Sequence, residues 1–175
     1  MTKLALILLL GSTALIAGAC TGDENNSSAQ TRETTGTTTT TAEDETAALE
    51  RAAREALREN DRLSGHVLRT NRVPTWATRS TRGPALAALR KSAADRRERG
   101  IRIRTLSSNF EIISVDLDPS FASASALVRS RQRVRPYRAG RPLGRAVKLD
   151  ERARVELRRL GESEQFVVWQ LEAMP

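Results

Sequence analysis

The chain has 175 residues, 39% of them hydrophobic, and a formal net charge of +8 at pH 7. It contains one cysteine and one histidine. A single cysteine excludes an intrachain disulfide, and a single histidine excludes a His-rich metal site and leaves a Ser-His-Asp arrangement only one base. No Gly-rich phosphate loop occurs, because GRPLG at 140–144 indicates a hairpin turn, and neither a cofactor nor a metal is predicted.

The first 19 residues have the order of a secretory signal peptide. Lys3 supplies a positive start, Leu4 to Leu10 are continuously apolar, and small residues follow up to Cys20. The apolar run is shorter than the roughly 20 residues that a membrane-spanning helix needs. We therefore expect residues 1–19 to be an export signal.

The cysteine that follows this segment indicates a lipoprotein. Ala17-Gly18-Ala19-Cys20 resembles the bacterial lipobox, in which small residues precede a cysteine whose thiol receives a lipid. The resemblance implies that Cys20 is the lipidation site and that the protein is anchored to the cell membrane on its extracytoplasmic side. The alternative is an unpaired cysteine in an ordinary signal, lost on cleavage.

Residues 20–41 are predicted to be the lipidated cysteine and a disordered linker. No apolar residue larger than alanine occurs from 21 to 41, and eight of the eleven residues from Thr31 to Thr41 are threonine. Such a segment buries too little apolar surface to offset the entropy of ordering it. Residues 42–175 then suit a single domain with one core.

Two helices are predicted at the start of the domain. The first begins at a capping box, Thr40-x-x-Glu43, carries an apolar stripe over Leu49–Leu63, and ends before a turn at Ser64-Gly65-His66. The second begins at Gly83-Pro84, with proline at the first helical position, and ends at Gly100.

From Ile101 onward the apolar period changes from near four to two, which predicts strands. Residues 101–104 and 122–135 alternate, and the clearest strand is 147–158, where five apolar residues hold odd positions and charged residues fill every even one. A helical alternative would leave Val155 among charges. LGESE at 160–164 predicts a hairpin loop before a last strand over Phe166–Ala173. This order predicts an α+β fold in which N-terminal helices pack on a curved antiparallel sheet.

The closing pattern resembles the nuclear transport factor 2-like superfamily, which includes ketosteroid isomerase-like and polyketide cyclase-like domains. The segments that carry the resemblance are NFEIISVDLDPSFASASALV, GRAVKLDERARVELRRL and EQFVVWQLEAM. The resemblance covers about residues 42–174 and implies a cone-like domain whose helices and sheet enclose a pocket. It implies no particular activity, because this fold hosts enzymes, transport factors and accessory domains.

Few residues carry catalytic chemistry. In an isomerase-like pocket Asp116 or Asp118 would act as general base, with Tyr137 stabilising an oxyanion and Trp169 forming a wall. The Asp-Pro-Ser sequence at Asp118 is more typical of a turn than of a catalytic site, and His66 is expected at the surface. The leading hypothesis is therefore a non-catalytic ligand- or partner-binding domain, with a small-molecule isomerase or dehydratase as the alternative.

Positive charge is concentrated in one segment, because seven arginines and no acidic residue lie from Arg129 to Arg145. Arg129, Arg131, Arg133 and Arg135 alternate and are expected on one exposed strand face, where guanidinium forks suit phosphates and carboxylates. The predicted partners are an anionic lipid, a wall polymer or an acidic protein, and nucleic acid is not expected. A third function is therefore a scaffold for anionic envelope polymers or lipids. The alternative is a solvated strand face.

Overall fold

The computed structural model describes residues 38–161 and 163–175, with side chains from residue 43 onward. The predicted export signal, Cys20 and the linker up to residue 37 lie outside the described residues. In chain order the elements are α1 (Thr38–Thr70), a 3₁₀ helix (Thr75–Arg79), α2 (Gly83–Glu98), β1 (Ile101–Leu117), β2 (Ser123–Arg138), β3 (Arg141–Pro142), β4 (Val147–Arg159) and β5 (Phe166–Met174). In the part of the chain that is described, no helix is long and apolar enough to cross a membrane.

The α+β prediction is confirmed. Two helices pack on an antiparallel sheet of strand order β1-β2-β4-β5, and the short β3 pairs with β2. The strand interpretation of residues 147–158 holds over the helical one, since Val155 and Leu157 are buried facing the helices while the charged even positions lie on the other face. Alternating burial therefore decided the structure of this segment.

The first helix is longer than the sequence predicts at both ends. It begins at Thr38, so the last four residues of the predicted linker are helical. It also runs to Thr70, and the predicted turn at Ser64–His66 is wrong. Val67 and Leu68 continue the buried stripe past Gly65, and this burial outweighs the roughly 1 kcal/mol cost of a glycine in a helix.

A single buried side chain joins both helices to the start of the sheet. Asn71 follows α1 with a left-handed backbone (φ 54°), and its N–H donates to the carbonyl of Val67. Its Nδ2 donates to the carbonyl of Ile101 at 2.5 Å, and its Oδ1 accepts a bond from Arg96 Nε at 3.0 Å. Asn71 thus fixes where β1 begins relative to α1 and α2.

The segment before α2 pairs with the edge strand β5. The N–H of Val168 donates to the carbonyl of Ser80 at 2.8 Å, and the N–H of Arg82 donates to the carbonyl of Val168 at 2.9 Å. Between them, the buried Thr81 hydroxyl donates to Asn60 Oδ1 of α1 at 2.8 Å. Part of the edge is therefore covered, and its buried polar groups are satisfied.

Two β-bulges shape β1. The pairing with β2 shifts between Thr105 and Ser107 and again between Ile112 and Ser114. Each bulge moves the inward-facing positions from odd to even numbers or back, so no single alternation spans the strand. The unpaired residues are Leu106 and Ile113, which are 42% and 46% exposed.

Replacing Gly83 with alanine should destabilise the fold more than the same change at Gly140. Both glycines have left-handed backbones, so alanine costs roughly 1–2 kcal/mol at either. Only at Gly83 would the new Cβ meet the Trp169 ring, at 2.7 Å, whereas nothing lies within 4 Å at Gly140. Denaturant unfolding should therefore show an additional loss of about 1–3 kcal/mol for Gly83→Ala. Equal losses in the two variants would show that the contact with Trp169 is unimportant.

Candidate functional site

A cavity of about 360 Å³ lies between the two helices and the sheet face on which they pack. We call it the interior pocket. Its apolar lining comes mainly from Leu68, Pro84, Ala85, Ala88, Leu89 and Leu171, and its polar lining from Asn60, Ser64, Ser92, Arg96, Gln132, Glu151, Arg152 and Gln170. A mainly apolar wall with a few convergent polar groups is the usual composition of a small-molecule site.

Two carboxyl groups near this pocket have raised pKa values. Glu151 lies at its edge, where partial burial raises the pKa of the carboxyl. Asp61 lines an adjoining cavity of about 230 Å³, which shares Leu68 and Gln132 with the interior pocket. Burial raises the pKa of Asp61, and the neighbouring positive charge of Arg62 opposes this only in part.

Two arginines, Arg96 and Arg152, line the interior pocket, and hydrogen bonds hold the first of them in place. Arg96 donates from Nε to Asn71 Oδ1 at 3.0 Å and from Nη1 to the Ser92 hydroxyl. Burial lowers the pKa of this guanidinium, and the nearby charge of Asp95 acts in the opposite direction. These bonds hold the side chain at the wall of the pocket, where it can donate to an acceptor on a ligand.

The structure does not assemble the predicted general base with Tyr137. Asp116 is exposed near the end of β1, whereas Tyr137 pairs with Arg102 at the start of that strand. The 14 intervening steps correspond to roughly 45 Å along the strand. Asp118 forms the turn, accepting hydrogen bonds from the hydroxyl and the N–H of Ser120, which hold the pKa of its carboxyl below the ordinary value.

The two other candidates also lie away from the interior pocket. Trp169 packs on Gly83, and the Arg158 guanidinium carbon lies 4.2 Å from the centre of its ring. His66 projects from α1 and meets Trp76 edge to face, with ring centroids 6.1 Å apart. Both aromatic contacts support packing around the helices.

The four arginines of the predicted anionic contact lie on the outer face of β2, opposite the helices: Arg129, Arg131, Arg133 and Arg135. The first binds Asp150 through Nε at 2.8 Å and Nη2 at 2.6 Å, and the second binds Glu111 at 3.0 Å. Among the described residues, Arg133 and Arg135 have no such carboxylate, and Arg135 Nε is buried without a hydrogen-bond partner. The row is therefore half neutralised by neighbouring strands.

Sequence reasoning missed the polar residues of the interior pocket, although two of them interrupt a pattern. Glu151 is the one charged residue at an odd position from 147 to 157, where the other odd positions are apolar. Asn60 holds a stripe position between Ala56 and Leu63 of α1. A polar residue at a core position is a signal of a buried network or a site.

The fold has a counterpart among solved structures. The crystal structure of the intermembrane space region of chloroplast protein ARC6 superposes with a TM-score of 0.54 at 10% identity, covering 80% of this chain and 98% of that one. This likeness concerns the fold alone, and the nuclear transport factor 2-like assignment stays a prediction. No family model and no curated protein matches the sequence.

Replacing Asp61 with asparagine should stabilise the protein at pH 7. Because burial raises the pKa of Asp61, the unfolded chain ionises first as the pH rises, and the wild type loses stability above the ordinary aspartate pKa of about 4. The gain in melting temperature of Asp61→Asn should therefore shrink below about pH 4. Asp118→Asn is the matched control, because the pKa of Asp118 is lowered and its ionised form stabilises the fold. If both variants shift stability in the same direction at pH 7, burial does not control the ionisation of Asp61.

Proposed function

We propose that this chain is a lipid-anchored extracytoplasmic lipoprotein whose domain binds a small ligand in the interior pocket without transforming it. The observation that supports ligand binding is the interior pocket, whose volume of about 360 Å³ falls in the range of small-molecule sites. The proposed lipid anchor is supported by the export-signal pattern and by Cys20.

The lining favours an amphiphilic ligand. Its apolar body would lie against Ala85, Ala88 and Leu171, and this burial supplies most of the affinity. A polar end would accept a hydrogen bond from Arg96 or bond to the Gln132 amide. An anionic end fits best, because Arg96 is already oriented by Asn71 and Ser92.

An isomerase or dehydratase is the second candidate. The observation in its favour is that Glu151 lies at the edge of the pocket, where burial shifts the pKa of its carboxyl upward, in the direction that suits a general base. Glu151→Gln separates the two functions. An enzyme would lose turnover while still binding its substrate, whereas for a binding module the change affects affinity alone.

Filling the pocket should abolish binding of an amphiphilic probe. Ala88 of α2 lines the pocket, so Ala88→Phe places a ring in the volume that the ligand occupies. We expect at least a tenfold loss of affinity for 8-anilinonaphthalene-1-sulfonate, measured by fluorescence titration. Ala94→Phe is the matched control on the exposed side of the same helix and should bind as the wild type does. Unchanged binding by a folded Ala88→Phe protein would contradict the proposed site.

Replacing Cys20 with serine should release the protein from the membrane fraction or block its maturation, because a hydroxyl does not accept the thioether-linked lipid. Cell fractionation and mass spectrometry check this, with the neighbouring Thr21→Ser as the control that keeps the thiol. A Cys20→Ser protein that stays membrane-bound at the wild-type mature mass would refute the lipid anchor.

A further inference from the structure

An open cleft of about 740 Å³ lies at one end of the sheet, where both helices end and β1 begins. Three elements contribute arginines to its lining, and no acidic residue lines it. We call it the arginine cleft and define it by Arg69, Arg72, Arg97, Arg102 and Arg104, with Tyr137 beside them. We propose that the arginine cleft binds a linear phosphate-bearing polymer.

The charge of this cleft is not compensated within the described part of the chain. None of its five arginines forms an ion pair there, although two arginines of the same sheet face are paired with Asp150 and Glu111. In the register of β1 and β2, Arg104 lies directly opposite Arg135, and like charges in that position destabilise a sheet. A bound polyanion would remove this repulsion.

The shape and spacing of the cations favour a chain of phosphates over a single ion. Arg102 and Arg104 alternate on β1, so their side chains stand about 6.6–6.8 Å apart on one face. Beyond the cleft the row of cations continues through Arg135 to Arg133. In the register of β2 and β4, Lys148 lies opposite Arg133 and adds another positive charge. A polymer leaving the cleft therefore meets further cations, and each guanidinium fork can hold a phosphate through two bonds.

The position of the cleft on α1 favours a polymer over the lipid headgroups of the anchoring membrane as the source of the phosphates. The cleft lies at the C-terminal end of a 33-residue helix, which corresponds to about 50 Å from the end that leads to Cys20. The anchor belongs to the proposed function, so this step rests on it. At this distance along α1 the cleft can meet a polymer that lies beyond the headgroups of the anchoring bilayer.

Binding of long-chain inorganic polyphosphate to the purified protein tests the proposal. Affinity should fall steeply with added salt, because the contacts are exposed charges. Arg102→Ser/Arg104→Ser should weaken binding at least tenfold. Arg129→Ser/Arg131→Ser removes the same charge from the same sheet face, but from residues already paired, and should change affinity less than about threefold. Equal losses in the two double variants would overturn the proposal, because net charge alone would then explain binding.

Two further probes identify the source of the phosphate. Orthophosphate should compete only weakly, and vesicles of phosphatidylglycerol and phosphatidylcholine should bind more weakly than polyphosphate. Tighter binding to the vesicles, or no binding of polyphosphate at low salt, would refute the polymer site.

Melting temperature checks the folding of each variant, and Arg69→Ser/Arg72→Ser serves as a second cleft variant. Binding of 8-anilinonaphthalene-1-sulfonate and membrane fractionation should stay unchanged in these variants, so failure of the cleft is distinguishable from failure of the proposed function.

Discussion

The position of α2 depends on the hydrogen bonds that join Ser80 and Arg82 to Val168 of β5. These bonds place the start of α2 against the edge of the sheet, and α2 then forms one wall of the interior pocket. The same segment satisfies Asn60 through the Thr81 hydroxyl, and an unpaired buried amide would cost about 1–3 kcal/mol. One polar junction therefore secures an edge strand, a helix and the shape of the pocket.

The pairing of strands also sorts the arginines of the outer sheet face. Register brings carboxylates within reach of Arg129 and Arg131 in the middle of the sheet, but it brings Arg104 beside Arg135 at the end. Identical side chains in one alternating row thus differ in net local charge. The unbalanced end coincides with the arginine cleft, where the ends of the helices add further cations.

One hydrogen bond links the lining of the interior pocket to the lining of the arginine cleft. Asn71 lines the cleft and Arg96 lines the pocket, and Arg96 Nε donates to Asn71 Oδ1 at 3.0 Å. This hydrogen bond therefore joins a residue of one lining to a residue of the other. The two sites differ in the charge of their linings, because the cleft has five arginines and no acidic residue whereas the interior pocket includes Glu151.

The local pattern of apolar and polar residues in the sequence determined most of the helices and strands of this protein. Apolar period distinguished the helices from the strands, proline at the start of α2 marked its first turn, and alternation defined β4, because each of these depends on neighbours along the chain. The C-terminal end of α1 and the bulges of β1 were not predictable in this way, since burial of Val67 and pairing with β2 decide them. Sequence alone placed four arginines on one strand face and suggested a lipid anchor at Cys20. Only the tertiary structure decided which arginines meet a carboxylate and which polar residues line a pocket, because those partners lie on other elements.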